Sequence, residues 1–237
     1  MLKEKAPQSA KPRNEAVPRP PDAVDPSTVR SVSRPRPLAD LHPLYAINER
    51  CLDLLVQSAQ TGASATFALV SDLRDLLGQL TPEARARAAQ RALLLVDMHF
   101  ADGRWWRTVK DNPMRPAPLA AWQGAFPRGG GFHLAYATLS LAWHTAHAAP
   151  DQVSLLGMTT EVSLTIAEVP ITVLDQLAKK HHKHLRPRWE DRPAVWRRLL
   201  ASAQTEDIRR ARDFSLYGIQ LLTAELISAG GRSTNAP

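Results

Sequence analysis

TTEVSLTIAEVPITVLDQLAKKHHKH, residues 159–184, carries the signals that set the fold class. Thr159-Thr160-Glu161 opens a short helix that runs to Glu168, with a hydroxyl cap and an acid in the first turn. Pro170 fits the first turn of a second helix, which continues to about His184. On the C-terminal side come Trp189-Glu190-Asp191, a short helix holding Trp196 and Leu200, and a final helix capped by Thr205 and running to about Ile227. On the N-terminal side a helix spans Phe132 to about Ala148. It is preceded by a linker, 112–131, that contains Pro113, Pro116, Pro118, Pro127 and Gly129-Gly130-Gly131. The glycine run lacks the Lys-Ser/Thr of a phosphate-binding loop and reads as a hinge.

The same order of elements is expected upstream of the linker. Leu44, Ile47, Cys51, Leu54, Leu55 and Ala59 form a helical apolar stripe, and Leu69, Leu73, Leu76 and Leu77 a second. Thr81-Pro82-Glu83 combines an N-cap, a proline at the first helical position and a first-turn acid. The helix it opens is expected from Ala84 to about Val96, followed by Asp102-Gly103 turn chemistry between Phe100 and Trp105-Trp106. At an offset of about 90 residues, Leu80-Thr81-Pro82 falls near Val169-Pro170-Ile171. Phe100 meets Trp189, Asp102 meets Asp191, and Trp106-Arg107 falls close to Trp196-Arg197. Shared order plus shared aromatic-turn chemistry reads as a tandem duplication.

Composition narrows the function classes. Of the 237 residues, 44% are hydrophobic, enough for a sizeable core. The lone Cys51, on an apolar stripe, excludes a disulfide framework and a cysteine-rich zinc module, and reads as a buried structural thiol. Phe132–Trp143 is too short to span a bilayer, and no secretory leader is readable, so a soluble cytoplasmic protein is expected. Residues 1–40 hold 8 of the 19 prolines, 8 Lys/Arg, 5 acids and no aromatic residue, which reads as a disordered basic tail. Residues 232–237 read as a second, short tail.

Enzyme chemistry is not apparent. There is no nucleophile elbow. Glu190-Asp191 sits in a turn, and Glu206-Asp207 opens a helix whose dipole favours acids. His181, His182 and His184 lie among Lys and Arg, which repel a cation, so a basic, partly protonatable surface is preferred to zinc. His144 and His147 have one-turn spacing but no third ligand. A metal-dependent enzyme using the histidines is the weakest of the readings, and neither metal nor cofactor is expected.

Charge is more informative. The chain carries a net charge of +7, and residues 179–212 hold 11 Lys/Arg against 4 acids, a local excess of the same size. Trp189 and Trp196 are interleaved, and two helix starts fall in the region, with N–H groups that accept phosphate. Duplex DNA is bound by such a mixture. Arg186, Arg188, Arg192, Arg197, Arg198, Arg209, Arg210 and Arg212 are the candidate contacts, mostly to phosphates. The competing reading is an adaptor that assembles a partner complex without touching DNA.

LLGMTTEVSLTIAEVPITVLDQLA, residues 155–178, resembles the core of the FlhD family of flagellar transcriptional regulators. The likeness continues through Leu185–Trp189 to Leu200, and through Glu206–Arg210 into the last helix, covering about 132–228. Leu44–Asn48, Ala63–Leu69 and Leu80–Ala84 resemble a weaker second copy. The resemblance implies an α-helical, dimerising activator of transcription that works with an FlhC-like partner, at flagellar or conjugative-transfer genes. The family is one unit long, whereas this chain carries two, 41–111 and 132–231. The expected architecture is therefore all-α, with the two units forming an intramolecular pseudo-dimer. The family's cysteine lies near what is Val96 or Leu185 here, so Cys51 inherits no inter-subunit disulfide. Expected partners are double-stranded DNA, an FlhC-like protein and further copies of the chain, with no membrane.

Overall fold

In the computed structural model the described residues are 40–61, 68–111 and 124–233, with side chains to residue 230. The basic tail before Asp40, residues 112–123 of the linker and the last four residues lie outside them. All described residues fall in one compact unit, Leu38–Pro237, with a single continuous apolar core.

The chain begins with α1 (His42–Thr61), whose first turn is capped by Asp40, the carboxylate accepting from His42 N at 3.0 Å. Two short helices follow, α2 (Ala68–Asp72) and α3 (Arg74–Gly78). Next is α4 (Pro82–Ala89), where Thr81 Oγ1 accepts from Ala84 N at 3.2 Å, the cap that its sequence announced. The chain then extends into β1 (Val96–Asp97) and turns into α5 (Gly103–Asp111), capped by Asp102 accepting from Trp105 N at 2.9 Å.

The second half comprises α6 (Arg128–Ala148), a 3-10 turn (Pro150–Leu156) and α7 (Thr160–Ala167), where Thr159 Oγ1 accepts from Val162 N at 3.2 Å. A 3-10 turn at Ile171–Val173 leads into α8 (Leu174–His181), and another at His182–His184 leads to β2 (Arg186–Pro187). It ends with α9 (Pro193–Gln204) and α10 (Ile208–Ser233). The protein is thus mostly helical.

The helix expected from Pro170 to about His184 is α8 flanked by two 3-10 turns, and the last helix runs past Ile227 to Ser233, into the expected tail 232–237. Three further differences have a clear structural cause. The helix expected to reach Val96 stops at Ala89, because a buried side chain from α1 takes over its last backbone groups. Asn48 donates to Ala89 O (3.1 Å) and Leu93 O (2.9 Å), and its Oδ1 accepts from Leu95 N (2.8 Å). Gly129–Gly131 are not a hinge; they form the first turn of α6. A Cβ at Gly130 would collide with the δ-methyls of Leu54, so the glycine lets α6 lie directly against α1. Finally, α10 is capped by Asp207, not Thr205, which ends α9 in an extended conformation.

Helices of one half pack on helices of the other. α1 packs on α3, α4 and α6, and α6 packs on α7 and α8. α5 lies on α7, and α9 on α3 and α4. β1 and β2 form an antiparallel ribbon, with Val96 opposite Pro187 and Asp97 opposite Arg186. Two non-glycine residues just beyond the strands have positive φ, His99 (54°) and Trp189 (57°), 90 residues apart.

Candidate functional site

The basic segment divides into a buried part and an exposed part. Arg188 is in the buried part, with only 5% of its surface exposed. Its guanidinium donates to Leu94 O (3.0 Å), Val96 O (3.3 Å) and Leu156 O (2.9 Å), and pairs with Asp97 (3.4 Å) and Glu225 (3.6 Å). Gly157, at φ 73°, leaves room for that guanidinium, since a Cβ there would strike it. Next to it, the Trp189 indole donates to Glu225 Oε1 at 2.6 Å, and Trp196 donates to Arg188 O at 2.7 Å. Arg188 therefore ties the ribbon to the 3-10 turn and to α10. Its head is turned toward these acceptors inside the fold, so Arg188 is placed as a structural cation, apart from the exposed candidate DNA contacts.

Arg186 is half-buried and donates to Glu190 at 3.0 Å. Burial raises the Glu190 carboxyl above its usual range, while Arg186 opposes that shift. The other candidates are exposed. Arg192 sits 3.9 Å from Asp191, and Arg197 donates to Asp72 O at 3.4 Å. Arg198 lies 4.6 Å from the centre of the Tyr217 ring on α10, a cation–π contact that keeps its head at the surface. Arg209 and Arg212 are exposed at the start of α10, and Arg210 is 3.6 Å from Asp207. The structure thus gathers Arg197, Arg198, Arg209, Arg210 and Arg212 on the packed pair α9–α10, leaves Arg192 at the entrance to α9, and withdraws Arg188.

The start of α10 is already capped, and that of α9 offers fewer N–H groups. Asp207 already accepts from the N–H groups of Arg209 (2.9 Å) and Arg210 (3.4 Å), and α9 begins with Pro193, which has no N–H. The candidate anion donors described here are therefore the guanidinium groups. Sequence reasoning missed the arginines of the first half that support this pair. Arg87 donates to Ala203 O (2.8 Å), and Arg91 to Ala211 O (3.1 Å) and Ser202 Oγ (3.2 Å). No local signal marks them, because each partner lies more than 100 residues away.

The histidine run is also divided. His181 is 2% exposed, and neither ring nitrogen has a hydrogen-bond partner among the described residues. Its ring meets Trp105 (5.4 Å between centroids) and His184 (5.8 Å), and His184 in turn meets His99 (5.5 Å). Burial, with the positive potential of neighbouring basic groups, holds His181 and His184 down at about 4, so both are neutral at pH 7. The reading of a protonatable basic surface is corrected for these two. Among the described residues, no group of three His, Cys, Asp or Glu is placed to hold a metal ion. His144 and His147 are exposed and bond back to carbonyls of their own helix. Cys51 is fully buried and its thiol is pushed up by that burial. No helix among the described residues is long and apolar enough to cross a membrane.

One further surface stands out on α10. Ile208 (83%), Leu216 (54%), Ile219 (37%) and Ile227 (71%) are exposed along one side of the helix. Comparison of the chain with protein-family models, with curated proteins and with solved structures found no match.

Proposed function

We propose that the protein is a DNA-binding transcriptional activator, folded as an intramolecular pseudo-dimer of FlhD-like units and acting with an FlhC-like partner at flagellar or conjugative-transfer genes. The observation that carries the DNA reading is the exposed arginine cluster on α9–α10. Exposed guanidinium side chains on two packed helices, whose backbones are tied down by Arg87 and Arg91, supply phosphate donors. Arg192, Arg197, Arg198, Arg209, Arg210 and Arg212 are the contacts in this reading. The pseudo-dimer is supported by the paired placement of β1 and β2, the two positive-φ residues 90 apart, and the packing of α5 and α9 across the halves.

The exposed apolar side of α10 favours a protein partner alongside DNA, and is the observation behind the adaptor alternative. The two are separated by charge reversal. Arg209→Glu with Arg210→Glu should weaken duplex binding and make the log–log salt slope shallower by about 0.9 per lost phosphate contact. A gel-shift titration showing unchanged affinity and slope, with the far-ultraviolet spectrum intact, would establish the adaptor instead.

A further inference from the structure

We propose that the groove between α1 and α6 binds an anionic amphiphile, a molecule with one carboxylate-like head and an apolar body. This site is separate from the arginine cluster and does not rest on the DNA reading.

The groove follows from unequal facing residues. Gly130 brings α6 against Leu54, so the helices touch at that point. Further along, Ile47 and Pro43 of α1 share the groove walls with Ala137 and Ser140 of α6, which are too small to fill the space. The result is a groove of about 620 Å³, with the buried Ile47 and Leu134 in its lining. That volume lies within the roughly 300–1,000 Å³ typical of small-ligand sites.

Its polar groups select the charge of the occupant. Arg50, His133 and His144 line the groove, and no Asp or Glu does. Arg50 is exposed and makes no ion pair among the described residues. His144 donates from Nδ1 to Ser140 O at 2.7 Å, so the permanent cation of the groove is Arg50. An inorganic anion would leave the apolar walls uncovered, and a neutral apolar molecule would leave Arg50 unmatched. An anionic head on an apolar body satisfies both.

The test is isothermal titration of the full chain with dodecanoate below its micelle concentration, with acetate and dodecyltrimethylammonium as controls. Dodecanoate should saturate at one molecule per chain, acetate should give no heat, and the ammonium amphiphile should bind more weakly. Arg50→Glu should weaken dodecanoate by about ten-fold or more. Ala137→Trp, which fills the groove, should abolish binding, and Ser140→Trp serves if Ala137→Trp does not fold. Arg50 is exposed on α1, so its variant decides the matter if neither tryptophan variant folds. Equal binding of the two amphiphiles would overturn the proposal. So would affinity untouched by these variants, or a dimer in light scattering that Ala137→Trp splits while dodecanoate fails to bind.

Discussion

The turns that follow β1 and β2 share a positive-φ residue and are held by opposite chemistry. Each passes through a non-glycine residue in the left-handed region, His99 at φ 54° and Trp189 at φ 57°. That conformation costs about 1–2 kcal/mol for an L residue and must be offset by contacts. At Trp189 the offset comes from charge: Arg188 before it and Glu225 above it clamp the indole and the strand. At His99 it comes from neutral rings, with Trp105 at 4.8 Å and His184 at 5.5 Å between centroids, and from Asp97 accepting His99 N at 3.1 Å. A guanidinium stays charged throughout the accessible pH range, whereas an imidazole holds an apolar cluster only while unprotonated. The Trp189 turn therefore holds through the pH range in which imidazoles titrate, and the His99 turn weakens in it.

The largest effect should come from breaking the charged turn. Arg188→Leu leaves the carbonyls of Leu94, Val96 and Leu156 unpaired and strands Asp97 and Glu225 without their cation. Removing one partner of a buried ionic network costs about 3–5 kcal/mol. Urea unfolding of the variant should show a loss of that size. A loss under about 1 kcal/mol would show that the ribbon is held by packing alone.

Arg188 also marks where reading the sequence stops. Thr81, Thr159 and Asp102 cap helices three residues away, so their roles are visible in a short window. The helical stripe of α1 is legible for the same reason. Asn48 is not, since its partners lie 41 to 47 residues on, and it is they that end α4 at Ala89. Gly130 resembles a hinge until α1 is placed beside it. Within the arginine run, nothing local separates Arg188, whose acceptors lie up to 94 residues away, from Arg197 or Arg209 at the surface. Charge clustering thus located the region of the candidate site but could not sort its members, and the groove between α1 and α6 depends on facing residues that no window contains.

The neutral turn sharpens the comparison through pH. His181 and His184 sit near 4 when folded, against about 6.5 for a free histidine, so the unfolded chain takes up protons first as pH falls. Stability is fully present above about pH 6.5 and declines toward pH 4. The groups around His181 are Trp105, His184, His99 and Lys180, none of them acidic enough to reverse that direction. His181→Phe keeps a ring in the cluster and removes its proton uptake. Between pH 7 and pH 5, wild-type should lose up to about 2 kcal/mol more than this variant. Denaturation midpoints measured across that range check it. Parallel curves for the two proteins would mean that His181 is solvated enough to protonate freely.

The smallest effect should come from relieving the backbone at the neutral turn. His99→Gly removes the cost of positive φ, a gain of about 1 kcal/mol. It also removes the ring that meets Trp105 and His184, a loss of the same order. At pH 7 the two should nearly cancel, leaving a change within about 1 kcal/mol in thermal or urea unfolding. The acid limb should still move. Burial is the main reason that His99 is held below its ordinary value, and its charge when protonated adds to that of His184. Deleting it takes one acid-sensitive ring out of the cluster, so the decline below pH 6.5 should be shallower. A loss above about 2 kcal/mol at neutral pH would show that ring packing, not the aspartate cap, holds the turn. A gain above about 1 kcal/mol would show that strain at His99 outweighs every contact the ring makes.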